Sequence, residues 1–202
     1  MHIQIRASEE QKQLLIQKKI NSEIKISWFE TTIVDADAYV DLIFEDETDV
    51  FAGMLTKIVL VNSIIKTCTS LPTDYCRINA WNGFLEKEKI EAATLNLDLK
   101  PSFEKILLGL GFEVMFVPDI VGFVSLRAIS MIINEAYFGL EDEISTKNDI
   151  DTAMKLGTNY PFGPFEWAEK IGLSNIAKLL IELSKTDSRY TPSNLLLQEA
   201  KV

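Results

Sequence analysis

The chain predicts an α/β sheet domain followed by an all-α domain, and three features of its 202 residues carry that reading. Before Pro118, short stretches of period-two apolar alternation are interleaved with helix-forming stretches, the pattern of a small, mostly parallel sheet with crossover connections. Beyond Pro118, apolar residues recur at helical spacing. Between residues 149 and 167, DIDTAMKLGTNYPFGPFEW, a helical pattern runs into a loop stiffened by Pro161, Gly163 and Pro164. The expected domains are therefore 1–118 and 119–202.

Taken in order, His2 to Arg6 alternates as a strand. Ser8 to Lys19 reads as a helix, with Ser8 and Gln11 at capping-box spacing and Glu9 and Glu10 complementing the helix dipole. Glu23 to Phe29 alternates again, and Asp37 to Glu45 and Lys57 to Val61 read as strands apolar enough to be buried on both faces. Glu113 to Val117 is a strand that Pro118 ends, with Asp119 placed to cap the helix that follows. From Val124 to Leu140 the pattern is apolar nearly all round, so this helix is covered on several sides, by its own bundle or by a partner subunit. Asp149 and Asp151 mark the start of the next helix and Gly157 its stop. Ile176 to Leu183 and Pro192 to Ala200 complete the helices, while Tyr160, Phe162, Phe165 and Trp167 supply apolar area that must pack somewhere.

Composition excludes several function classes. A net charge of −10, from 20 basic against 30 acidic residues without a basic cluster, argues against a nucleic-acid partner. No run approaches the ~20 apolar residues of a membrane helix and no leader pattern opens the chain, so no membrane partner and a cytoplasmic location are expected. Cys68 and Cys76 lack metal-ligand spacing and a companion histidine; packed, reduced thiols are the expectation, with a disulfide left open. The single histidine, His2, reads as an exposed terminal residue. Glu86, Glu88 and Glu91 beside Lys87 and Lys89 form an alternating charged segment rather than a metal site, and no serine, histidine and acid set can be assembled.

The ordered motifs resemble the 3-hydroxyacyl-CoA dehydrogenases. Residues 149–167, continued by Ala168 to Leu173, are similar to the C-terminal domain of that family, as are Val121-Gly122-Phe123-Val124 with Arg127, and Asn134-Glu135-Ala136. In the first half, Asp35-Ala36-Asp37 leading into Tyr39 to Asp46, then Val61-Asn62-Ser63, then Arg77 to Phe84 followed by Ile90-Glu91 resemble family strands and turns in the same order. The resemblance implies a shortened Rossmann-like, mostly parallel sheet domain and an all-α dimerisation domain of the 6-phosphogluconate dehydrogenase C-terminal-like type. It also implies the NAD-dependent oxidation of a 3-hydroxyacyl-CoA to a 3-ketoacyl-CoA, a reaction of fatty acid metabolism, and a homodimer formed through the helical domain.

In that family a histidine takes the hydroxyl proton and a glutamate orients it, while serine and asparagine hold the substrate oxygen and the base. Carried across by position, the glutamate is Glu91 and the histidine position holds Asn82, whose amide does not titrate near neutral pH. The serine position falls on Ile64, one residue from Ser63, and the asparagine position on Leu126. The candidate catalytic residues are thus Glu91 and Asn82, and the candidate substrate-binding residues Ser63 and Asn62. Alone, Glu91 also reads as a strand-end carboxylate. A dinucleotide turn needs glycines where backbone amides approach the pyrophosphate, but no glycine precedes Gly53 and Ala7-Ser8-Glu9-Glu10-Gln11 stands in that place. From the residues no cofactor is expected; NAD is expected if the family activity survives. The chain is identified as a 3-hydroxyacyl-CoA dehydrogenase-like protein of degenerate site. The alternative is a non-catalytic acyl-CoA-binding or dimeric scaffold protein using the aromatic surface from Tyr160 to Trp167.

Overall fold

In the computed structural model of the protein, which describes residues 1–45, 47–54 and 57–202, seven strands form one sheet. They are β1 (His2–Arg6), β2 (Lys25–Trp28), β3 (Ala38–Asp41), β4 (Ile58–Asn62), β5 (Tyr75–Ile78), β6 (Lys89–Ala93) and β7 (Glu113–Phe116), in spatial order β2-β1-β3-β4-β5-β6-β7. Every neighbouring pair is parallel except β5 and β6. Because β1 takes β2 on one side and β3 on the other, the strand order reverses between β1 and β3, the switch point at which open α/β sheets leave a crevice.

Ile3, Ile5, Val40, Leu60, Ile78 and Ile90 belong to one apolar core with Phe103, Ile106 and Leu107 of helix α2 (Lys100–Gly109). A second core gathers Tyr39, Val59, Val61, Phe44, Phe51 and Tyr75. Helix α1 (Glu9–Ile16) has the expected capping box at Ser8 and Gln11 but ends before Lys19. Helix α2 was not anticipated: it is ten residues long and carries proline in its first turn, too little periodicity to announce itself. The strand expected over 37–45 stops at Asp41, whose carboxylate accepts the Ile43 N–H at 3.1 Å and turns the chain; Asp46, included in the resembling segment, lies outside the described residues.

The chain divides between Phe123 and Val124, five residues past the expected boundary. Residues 119–122 stay with the sheet because Asp119 pairs with Arg77 instead of capping a helix, and the Gly122 N–H donates to Ile64 O at 2.8 Å. The second unit holds α3 (Ser125–Glu141), α4 (Lys147–Thr158), α5 (Pro164–Ile171), α6 (Leu173–Ser184) and α7 (Asn194–Ala200). Helix α3 packs against the other four, as its apolar circumference requires. Its buried Asn134 donates to Thr191 O at 2.8 Å and accepts from Ser193 N at 2.9 Å, so this polar residue joins α3 to the approach to α7.

The motif at 149–167 resolves into a capping device. Thr146, not the acidic pair, opens α4, and Asp149 bonds back to it. Asp151 is buried and reaches the N-terminus of α5, accepting the Phe165 and Glu166 N–H groups at 2.8 and 3.2 Å. A β-carbon at Gly163 would sit 2.3 Å from the Asp151 carboxyl, so only glycine admits that carboxylate. Pro164 supplies a first-turn residue that has no N–H to satisfy, and Glu166 returns a bond to Gly163 N at 2.9 Å. Gly157 does not stop α4; the left-handed Asn159, at φ 56°, does. Of the four aromatics, Phe165 and Trp167 are buried and Tyr160 is exposed, with Phe162 edge-on to Trp167 at 5.0 Å.

Gly163→Ala is expected to lower the unfolding free energy by about 1–3 kcal/mol, and Asp151→Ala by about 0.5–2 kcal/mol as a lost cap. Urea denaturation checks both. The double variant should lose less than the sum, because removing the carboxylate makes room for the methyl group.

Candidate functional site

The candidate residues cluster where β4 and β5 end and the antiparallel β6 begins. Asn62, the last residue of β4, donates to Leu42 O at 2.9 Å and accepts the Ala80 N–H at 2.9 Å, bridging the ends of β3 and β5. Ser63 is fully buried and its hydroxyl donates to Lys66 O at 3.0 Å. Antiparallel register pairs Arg77 with Ala93 and Ile78 with Ala92, which sets Asn79 opposite Glu91. The Asn79 N–H donates to Glu91 O at 3.0 Å and its side-chain amide to Glu91 Oε2 at 3.1 Å, with Glu91 6 % exposed. Asn82 faces elsewhere, its amide donating to Glu10 Oε2 at 3.0 Å. Glu91 therefore meets an amide from Asn79, while the two candidate catalytic residues have different partners.

Beneath these residues lies a fully buried arginine. Arg77 donates to Ser63 O at 2.9 Å and Ile64 O at 3.0 Å, pairs with Asp119, and lies 4.5 Å from the Phe123 ring centroid. Asp119 also accepts the Cys68 N–H. On the other side of the same turn, the Glu45 carboxylate accepts the N–H groups of Ile64, Ile65 and Lys66. Burial pushes the Glu45 carboxyl above its ordinary range, against the opposing effect of those three bonds. Carbonyls bound by Arg77 and amides bound by Glu45 together fix the turn after β4.

At the switch point, Arg6 ends β1 and Asp41 ends β3. The guanidinium meets Asp41 Oδ2 at 3.1 Å and Thr48 O at 2.9 Å, and pairs with Glu47. Burial raises the Asp41 carboxyl from its usual value to about 6, with Arg6 opposing the rise. At the N-terminus of α1, the Ser8 hydroxyl accepts the Gln11 N–H at 3.2 Å, and the Gln11 side chain accepts the Ser8 N–H at 3.0 Å and donates to Leu42 O at 3.0 Å.

His2 stands at the start of β1, at the other end of that strand from Arg6, with Nε2 2.9 Å from Ser27 Oγ, so it is part-buried rather than free at the terminus. Cys68 and Cys76 are buried free thiols, and burial pushes Cys68 up to about 12. Among the described residues no three His, Cys, Asp or Glu groups are placed to hold a metal ion, and no helix is long and apolar enough to cross a membrane. Sequence reasoning missed Arg6, Asp41 and Glu45, whose partners are 35 residues away for the ion pair and 19 or more for the turn amides.

Comparison with known proteins gives a consistent assignment. Residues 122–201 match the 3-hydroxyacyl-CoA dehydrogenase C-terminal domain. The chain is 41% identical over 92 residues to the 3-hydroxyadipyl-CoA dehydrogenase of Escherichia coli (strain K12), covering 45% of this chain and 19% of that one. It is 28% identical over 158 residues to the mitochondrial hydroxyacyl-coenzyme A dehydrogenase of Rattus norvegicus, covering 77% and 48%. The chain thus spans about half, or less, of the length of these relatives. A crystal structure of the (S)-3-hydroxybutyryl-CoA dehydrogenase of Ralstonia eutropha shares the fold, with a TM-score of 0.74 at 19% identity over 98% of this chain and 92% of that one.

The Asp41 carboxyl resonance is expected to titrate near pH 6, and Arg6→Met to move its midpoint higher by removing the opposing charge. Because the folded state holds this proton more tightly than the unfolded chain, stability from this group falls as pH rises from about 4 to 6. Asp41→Asn should flatten that part of the stability profile.

Proposed function

We propose that this chain, which belongs to the 3-hydroxyacyl-CoA dehydrogenase family by its residues 122–201, is a dehydrogenase-like protein that does not itself oxidise a 3-hydroxyacyl-CoA. The observation that carries the reading is the partner of Glu91. Proton abstraction from a hydroxyl needs a base with a pKa near the working pH, oriented by a neighbour. Here the orienting carboxylate is bonded to the amide of Asn79, and the position that resembles the base is Asn82, itself bonded to Glu10. An amide neither takes nor returns a proton near neutrality, so the contribution of about 10²–10⁴ from a general base is forfeited.

The second reading is a non-catalytic acyl-CoA-binding or dimeric scaffold protein, and the helical unit favours its dimeric form. Ile144 is 74% and Leu156 83% exposed, and Ile132, Ala136, Ile150 and Met154 line a hollow of about 310 Å³ beside Ile144. Apolar area of this kind supports a homodimer formed through the helical unit. The acidic balance supports a partner set without nucleic acid, and the two free buried thiols support a reducing, cytoplasmic setting.

Acetoacetyl-CoA reduction by NADH, followed by absorbance beside a histidine-containing relative, should run at least about 10²-fold slower; a rate within tenfold of the relative contradicts the proposal. Calorimetry with acetoacetyl-CoA alone separates a thioester-binding protein, which gives a saturable heat, from a scaffold, which gives none. Light scattering should return twice the chain mass.

A further inference from the structure

Among the described residues, the end of β3 and the stretch after it carry acids at 41, 45, 47 and 49, and each of these has a partner within the sheet unit. Asp41 and Glu47 converge on Arg6, Glu45 takes the amides of residues 64–66, and Asp49 accepts the Tyr75 hydroxyl at 2.9 Å. Between them Phe44 and Phe51 are buried, Phe51 with its ring 4.9 Å from that of Tyr39 and 5.7 Å from that of Phe29. Charges fasten this stretch at the C-terminal ends of β1 and β3, and the two rings pack it into the second apolar core.

A dinucleotide in an α/β sheet lies in that same crevice, its pyrophosphate against free backbone amides at the N-terminus of the helix after β1 and close to backbone without side chains. At that N-terminus the Ser8 and Gln11 N–H groups are bound within the capping box, and Glu9 and Glu10 put negative charge in the first turn. Arg6 is not an available phosphate ligand, because its one positive charge already faces two carboxylates and a carbonyl. The group Arg6, Asp41 and Glu47 has a net charge of −1, which repels a pyrophosphate.

We infer that the crevice between β1 and β3 is filled by the chain's own Arg6–Asp41–Glu47 network and that this protein excludes a dinucleotide there. The inference rests on residues distinct from Glu91, Asn79 and Asn82. It turns the lost cofactor site into a structural one, in which an internal cation holds residues 42–45 and 47–54 down.

Two measurements on the full chain test it. Titration of the wild-type protein with NADH alone, read by calorimetry and by energy transfer from tryptophan, should show no saturation up to about 1 mM; saturation within that range overturns the inference, and does so without touching the absence of a base. Chymotrypsin should cleave after Phe44 and Phe51 at least about tenfold faster in Arg6→Met than in the wild type, since opening of this stretch then loses its anchor. Glu47→Gln, a milder change at a half-exposed carboxylate, should give a smaller increase in the same direction. Unchanged cleavage in a folded Arg6→Met protein, or in Glu47→Gln where Arg6→Met does not fold, overturns it.

Discussion

The buried ion pair between Arg6 and Asp41 constrains everything at the C-terminal edge of the sheet. The two residues end adjacent parallel strands, Arg6 is 8% exposed and Asp41 is not exposed at all. Neither charge can be left alone there: removing one partner of a buried pair typically costs about 3–5 kcal/mol, because the other stays desolvated. The pair therefore demands a complete set of neighbours, and Glu47, Thr48 and Ile43 provide it. The path of the chain after β3 is fixed as a consequence, and with it the space that a parallel sheet otherwise leaves open at its switch point.

The same economy recurs at Arg77. Its guanidinium and the Glu45 carboxylate divide the turn after β4 between them, one taking carbonyls and the other amides. Asn62, Ser63 and Asn79 likewise have side-chain bonds within the protein. Polar residues in this region hold strand ends in register. A catalytic arrangement of the type that the family resemblance implies requires a base whose partner leaves it free to exchange a proton. Glu91 is bonded to the Asn79 amide just past the end of β5, across the β5–β6 pairing.

Local patterns were legible in the sequence to the extent that their causes are local. Alternation in residues 2–6 marks β1, the Ser8 and Gln11 spacing marks the capping box, and the rigid loop before Pro164 marks the start of α5. The function of Asp151 was not legible, since a carboxylate two residues past Asp149 looks like a helix start until its contact with Phe165 is known. Arg6 and Asp41 are separated by 35 residues and Arg77 and Asp119 by 42, so no window of helical or strand period contains either pair. In the sequence Asn79 is one residue of the segment from Arg77 to Phe84; its role depends on a register that sets it opposite Glu91, twelve residues on. Family resemblance pointed to Asn82 because it tracks linear motifs, whereas the bond to Glu91 is made across strands.

A double-mutant cycle on Arg6→Met and Asp41→Asn, read by urea denaturation, tests most directly whether these two charges hold the crevice closed. The account predicts a coupling energy of about 0.5–3 kcal/mol, the range of residues sharing one network. A coupling below about 0.5 kcal/mol, the level of independent sites, would contradict it.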